Sequence, residues 1–333
     1  MSALPMTAPA RDELLAVENL EVQFRTGRGV VQAVRGTSFT VAKGETLAII
    51  GESGSGKSVT ARVILGILQS PPGFVTGGAV RYHGENFLDK TPEERRKIQG
   101  DRIAMVFQDA LAALNPVFPI GWQIAELFRV HRGMSKADGY KQAVKLLARV
   151  GIPNPEERVK QYAHQFSGGM RQRVMIAMAI ALEPDLLLAD EPTTALDVTV
   201  QAQVMQLLAQ LKEETGMALM LITHNVAVAA EVADRVAVMY AGRVVEVGTV
   251  DTVLQRPGHP YSRALIDLAM HVSDVGQAPI PGSPPDMIRP PKGCAFHPRC
   301  PMARDICKHD DPALRILASG QQSACHFAEE VSP

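Results

Sequence analysis

Gly51-Glu-Ser-Gly-Ser-Gly-Lys-Ser58 is the stretch that decides the fold. It fits G-x-x-x-x-G-K-[ST], follows an apolar run that reads as a strand (Glu45–Gly51, ETLAIIG), and opens a run that reads as a helix, Lys57–Leu68. Strand, glycine-rich loop and helix in that order build an anion cradle. Gly51, Gly54 and Gly56 let the backbone pass close to a phosphate and aim its N–H groups, while the helix start adds partial positive charge. Lys57 is placed to neutralise β/γ-phosphate oxygens and the Ser58 hydroxyl to ligate Mg²⁺; Ser53, Ser55 and Val59 complete the expected contacts with ATP. A Gly/Ser-rich turn that binds nothing can also precede a helix, but the full pattern in this context is demanding.

Outward from the loop, Leu186-Leu-Leu-Ala-Asp190-Glu191 is an apolar strand ending in two carboxylates. Side chains at the carboxyl end of a strand in an open α/β sheet face the ligand crevice. Asp190 is therefore expected in the Mg²⁺ shell, and Glu191 beside it as the base that polarises the attacking water. Alone, such a pair would be a solvated strand end; beside a phosphate loop it is a catalytic pair.

Ile103–Gln108 and Ala218–Thr223 are further apolar runs suited to a buried parallel sheet, and Ala137–Val150, Gly168–Leu182, Val198–Glu213 and Ala227–Ala233 read as helices. The alternation predicts an α/β fold, a P-loop NTPase core. From about 109 to 167 the alternation stops. That stretch reads as helical with Pro116, Pro119, Gly133, Pro153 and Pro155 as punctuation, a helical subdomain inserted between two strands. After Arg256 the chain turns Pro-rich and Cys-containing, with Pro279–Pro291 read as a linker. Residues 1–11 are Ala/Pro-rich without an apolar core and read as a disordered tail, not a signal peptide. The expected division is 1–11 tail, 12–255 nucleotide-binding domain and 256–333 small irregular extension.

The hydrophobic fraction of 46% with only 5% aromatics describes an aliphatic core, as buried parallel sheets have. Lys and Arg number 34 against 35 Asp and Glu, so no basic excess argues for nucleic acid. The longest strongly apolar run, Met175 to Leu182, is far short of the roughly 20 residues a spanning helix needs. Any membrane role is expected to be peripheral, at the cytoplasmic face.

Phe166-Ser-Gly-Gly-Met170 resembles the signature L-S-G-G-Q of ABC ATPases, with Phe for Leu and Met for Gln. The resemblance spans roughly residues 15–250 and implies several roles. ATPase domains pair head to tail, and Ser167, Gly168 and Gly169 cap the γ-phosphate held by the partner's loop. Gln108 resembles the Q-loop glutamine that senses Mg²⁺ and water. Thr194-Ala-Leu-Asp197 resembles the D-loop, with Asp197 acting across the dimer. His224 resembles the switch histidine of the γ-phosphate, followed by Asn225 where the family usually has Asp. Phe24 stands where an aromatic stacks on adenine, in the antiparallel N-terminal β subdomain that the family has. No N-K-x-D motif supports a GTPase. Neither a heptad coiled coil nor a second cassette supports a soluble ABC ATPase acting on DNA or ribosomes.

All four cysteines, Cys294, Cys300, Cys307 and Cys325, fall in the last 40 residues, spaced C-x₅-C-x₆-C-x₁₇-C. In a cytosolic chain a disulfide framework is disfavoured. Zinc sites usually pair ligands as C-x₂₋₄-C, which is absent here, whereas iron–sulfur ligation accepts wider spacing. Zinc, an iron–sulfur cluster and four uncoordinated thiols all remain open on spacing. Gly258-His-Pro-Tyr-Ser-Arg-Ala-Leu265 and Gly293-Cys-Ala-Phe-His-Pro-Arg-Cys-Pro301 resemble the C-terminal extension of oligopeptide and dipeptide importer ATPases, some of which carry a [4Fe–4S] cluster on four such cysteines. The resemblance implies a peptide importer working with a second, different ATPase chain, two membrane permeases and an extracytoplasmic peptide-binding protein. Nickel and glutathione importers share the extension. His259, Pro260 and Tyr261 read as helix anchors whose loss disturbs packing rather than hydrolysis.

Overall fold

A computed structural model describes residues 12–194, 196–270 and 280–332. The tail read at 1–11 lies outside the described residues. The strands are β1 (Glu13–Thr26), β2 (Gly29–Ala42), β3 (Thr46–Ile50), β4 (Gly73–Tyr82), β5 (Glu85–Asn86) and β6 (Ile103–Val106). They continue as β7 (Leu186–Asp190), β8 (Ala218–Thr223), β9 (Arg235–Tyr240), β10 (Arg243–Thr249), β11 (Arg315–Ile316) and β12 (Gln322–Ser323).

The first sheet is antiparallel, ordered β2-β1-β4-β5. One face of β1 supplies Leu15, Val17, Leu20 and Val22 to the core. The main sheet is ordered β11-β12-β10-β9-β3-β8-β7-β6. From β9 to β6 every pairing is parallel. β3, β6, β7 and β8 are buried along their whole length, which is why they read as unbroken apolar runs.

Helices cover both faces of this sheet. Lys57–Leu65 packs between the two sheets, and Gly168–Ile180 and Val198–Thr215 lie against the opposite face. Between β6 and β7 the helices Ile120–Arg132 and Lys136–Arg149 form a hairpin. Gly133 ends the first in the left-handed conformation, and the Ser135 hydroxyl caps the second by accepting from the Asp138 N–H. Their close approach needs Gly139, where a Cβ would stand 3.0 Å from the Ala125 carbonyl oxygen.

Three readings change. Strand β6 stops at Val106, so Gln108 lies in the turn beyond it instead of ending the strand. The C-terminal segment is not wholly irregular, because β12 pairs with β10 (Glu246↔Ser323, Val247↔Gln322) and extends the main sheet. Strands of two residues carry no periodicity a sequence reading can use. The described part of the proline-rich segment, 280–291, is pinned rather than free. The Met287 carbonyl accepts the Gln32 N–H at 2.9 Å, and the Pro281 carbonyl accepts Arg299 Nε–H at 2.8 Å.

Candidate nucleotide site and the cysteine lobe

The loop 51–58 leaves the carboxyl end of β3 and runs into the helix Lys57–Leu65. Its glycines are there for space and for backbone angle. Gly51 has φ +151 and Gly56 φ +103; a Cβ would lie 2.2 Å from the Met239 carbonyl oxygen at the first and 2.6 Å from that of Ala33 at the second. Lys57 is buried, its Nζ donating to the carbonyls of Gly51 (2.7 Å) and Glu52 (2.9 Å). Burial pulls its ammonium below the ordinary lysine range, and the charges of Glu191, Asp190 and Glu52 oppose that.

The Ser58 hydroxyl donates to Asp190 Oδ1 at 2.8 Å, so the two residues expected to share a cation already meet. Burial pushes the Asp190 carboxyl above the usual carboxylate range, with the Ser58 hydrogen bond acting against it. A cation at this pair would favour the ionised form.

Glu191 follows at the strand end with φ +46, its N–H donating to the Ile222 carbonyl of β8 at 2.9 Å. That backbone turn faces its carboxylate toward three partners. Gln108 Nε2–H donates to it at 3.1 Å, the Thr194 hydroxyl donates at 2.9 Å, and His224 Nδ1 lies 3.4 Å away. Gln108, Glu191 and His224 therefore converge from three loops beyond β6, β7 and β8. Thr194 is a contact that sequence reading missed; it was quoted within the D-loop stretch without a role of its own.

The remaining expected residues stand elsewhere. Ser167 caps the helix Gly168–Ile180, its Oγ accepting the Met170 N–H at 3.3 Å. Gly169 is crowded by Val200, 2.8 Å from where its Cβ would be. Among the described residues no hydrogen bond joins Ser167–Gly169 to the loop 51–58. Asp197 caps the helix Val198–Thr215 by accepting the Val200 N–H at 3.0 Å. Phe24 is half-buried on β1 opposite Gly73, packed into the core of the first sheet.

The four cysteines are free thiols that line one small cavity with Phe296, His297, His326 and Phe327. They come from three chain segments. Gly293 (φ +64) permits the Cys294 N–H to donate to the Cys307 carbonyl at 2.9 Å, since a Cβ there would sit 2.5 Å from that oxygen. Burial pushes Cys294 and Cys325 up to about 11 and raises Cys300 as well. The N–H groups of Phe296, Met302 and Phe327 pull those three the other way. Among the described residues no three His, Cys, Asp or Glu side chains are gathered closely enough to hold a single metal ion. The lobe also reaches the nucleotide loop. Tyr261 does begin the helix Pro260–Met270 and is wholly buried, but its hydroxyl accepts the Glu52 N–H at 2.8 Å, beyond the anchoring role read for it.

The chain matches the ABC transporter family over residues 34–194 and the oligopeptide/dipeptide transporter C-terminal region over 245–307. It is 46% identical over 321 residues to the dipeptide transport ATP-binding protein DppD of Bacillus subtilis, covering 96% of each chain. The chain is an ABC transporter ATPase. This ABC ATPase is also 48% identical to the oligopeptide transport ATP-binding protein OppD of Bacillus subtilis, over 90% of its own length and 85% of that protein's. Its fold is similar to the dimeric ATP-binding cassette MJ0796, solved in a post-hydrolysis state bound to ADP and Pi (TM-score 0.64, 29% identity, 71% of this chain and 99% of that one). It is similar too to cbiO1 from Clostridium perfringens, part of the ABC transporter complex cbiONQ (TM-score 0.62, 26% identity, 78% of this chain and 96% of that one). Among the described residues of this ABC ATPase no helix is long and apolar enough to cross a membrane.

Proposed function

We propose that this ABC ATPase hydrolyses ATP to power the import of short peptides, as the nucleotide-binding subunit of a transporter at the cytoplasmic face of the membrane. The observation that carries the hydrolytic part is the Glu191 carboxylate, held by Gln108, Thr194 and His224 next to Asp190 and the phosphate loop. Gly51–Ser58, with Ser53, Ser55 and Val59, cradle the phosphates, and Lys57 leaves its two carbonyl partners to meet the β/γ oxygens. Ser58, Asp190 and Gln108 would hold Mg²⁺, which would neutralise the charge of those oxygens when bound. Glu191 accepts a proton from water as that water attacks the γ-phosphorus, the bond to the β-phosphate oxygen breaks and ADP leaves, and His224 and Gln108 keep the carboxylate aimed.

Ser167, Gly168 and Gly169 serve the loop of a second ATPase chain, with Asp197 at the same interface and Phe24 toward the adenine. That no hydrogen bond among the described residues joins Ser167–Gly169 to the loop 51–58 supports that reading. Leu111, Val117 and Phe118 stand exposed just past Gln108, an apolar surface suited to a helix of one of two permeases. Peptide as cargo rests on the relatives' dipeptide and oligopeptide transport and on the matched C-terminal region, with an extracytoplasmic binding protein delivering it.

The cysteine lobe is proposed to hold a [4Fe–4S] cluster through Cys294, Cys300, Cys307 and Cys325. Four sulfurs spread around one cavity, three of them receiving backbone N–H groups, fit a polynuclear centre better than one ion. Such a group cross-links the lobe's segments. Anaerobically purified protein is expected to contain iron and absorb near 400 nm; iron-free, colourless protein rejects the cluster. For transport, vesicles containing the permeases and both ATPases are expected to accumulate dipeptide only with ATP inside. Accumulation of nickel or glutathione in place of peptide would reassign the cargo.

A further inference from the structure

Glu52 is the second residue of the phosphate loop, and the cysteine lobe occupies its N–H and its carboxylate while its carbonyl stays with Lys57. Its N–H donates to Tyr261 Oη at 2.8 Å. Its carboxylate receives both arms of Arg299, Nη1 to Oε2 at 2.7 Å and Nη2 to Oε1 at 3.0 Å. Arg299 closes the short turn His297–Arg299 directly before Cys300. Its other donors go to the carbonyls of Pro281 (2.8 Å) and Ile280 (3.3 Å) and to the Tyr240 hydroxyl (3.3 Å). Five contacts thus aim the guanidinium, and its side chain is only 4% exposed. This is a bidentate, oriented pair, unlike a surface ion pair between mobile chains.

The pair has an electrostatic purpose. A loop built to bind a polyanion carries a carboxylate at its second position, and the Glu52 charge acts on Lys57 itself. Left unpaired in a partly desolvated cradle, that carboxylate would repel the incoming phosphates. We propose that Arg299 is a positioning residue of the nucleotide site, cancelling the Glu52 charge and holding the loop, so that phosphate binding depends on the cysteine lobe. The inference rests on the loop binding nucleotide as proposed above.

Calorimetric titration of the full chain with MgADP tests it. Arg299→Gln is expected to weaken binding about tenfold, within the range of couplings between linked sites. Adding Glu52→Gln should restore it to within about threefold, because the repelling charge is gone. Arg299→Lys keeps the charge without the fork and should lose about threefold. The Arg299→Gln defect should shrink at high salt, as screening of Glu52 requires. A purely structural prop predicts that the double variant binds as weakly as the single one and that salt has no effect; either result overturns the proposal. Parental affinity in Arg299→Gln, or a tenfold loss in Arg299→Lys, overturns it too. If the parent chain itself fails to bind MgADP, the assignment of the loop falls instead.

Discussion

The phosphate loop and the cysteine lobe both bury groups whose charged form prefers water, and they do so in opposite ways. In the loop the buried Lys57 is satisfied by carbonyls of residues five and six positions away, so the solution is contained in eight consecutive residues. In the lobe the thiols come from segments around 294–300, 307 and 325, joined by the Cys294–Cys307 backbone hydrogen bond and by the return of β12 to β10. A local cradle can be read as a string; a nonlocal one exists only once the chain has folded.

The largest expected effect separates binding from chemistry within the first region. Glu191→Gln should reduce turnover by about 10²- to 10⁴-fold in the assembled transporter while nucleotide binding persists, the usual loss for a general base. Turnover at the parental rate would mean that the cradle works without Glu191 as base.

Next, Phe296→Ala should break the lobe. The ring is 1% exposed and packs against Tyr240 and Tyr261, at centroid distances of 5.2 and 5.4 Å. A loss of about 3–5 kcal/mol is expected for truncating a buried Phe. Hydrogen exchange should show opening around 294–327 with β7 and β8 still protected. If both regions open together, they form one cooperative unit and the contrast between them fails.

A pH titration gives an intermediate effect, because two buried groups behind the lobe shift in opposite directions. Burial pushes His259 down to about 3 and Glu246 up to about 7, against ordinary values of 6.5 and 4.5. The His259 contribution is complete above about 6.5 and is lost as pH falls toward 3, when proton uptake would take Nδ1 from the Tyr261 N–H it accepts at 3.0 Å. The Glu246 contribution is complete below about 4.5 and is lost as pH rises through about 7. The slopes oppose each other between those ordinary values, so stability should fall most clearly below pH 4.5. Denaturant unfolding at about pH 4.5 and about pH 3 checks this, and His259→Gln should reduce the difference between the two.

The smallest effect concerns a more exposed bidentate arginine of the lobe. Arg315 forks onto Glu329 at 2.6 and 2.7 Å, but both side chains are largely exposed. Arg315→Ala should change stability by under about 1 kcal/mol and leave MgADP affinity alone. A nucleotide defect as large as that expected for Arg299→Gln would show that the lobe acts on the loop through its general fold and not through one buried pair.

Legibility followed locality. Strands β7 and β8 were readable to the residue, because strands buried on both faces are unbroken apolar runs between turn residues. Strand β9 is as long as β8 and buried beyond its first residue, but the charges of Asp234 and Arg235 at its start hide the apolar run. Glu191, Gln108 and His224 were legible as members of ordered motifs, though nothing in the string placed Thr194 on the same carboxylate. Arg299 and Glu52 lie 247 positions apart, and no periodicity or spacing rule links such a pair.

The amino-acid sequence by itself determined the phosphate loop, the carboxylate pair after β7 and the strands and helix that lead directly into and out of them. Each of these depends on the chemistry and backbone freedom of neighbouring residues. Only the tertiary structure decided that the C-terminal segment joins the main sheet, that four distant thiols share one cavity, and that Arg299 and Tyr261 grip the loop at Glu52. Those contacts exist because sheet pairing and burial bring together parts of the chain that no local preference relates.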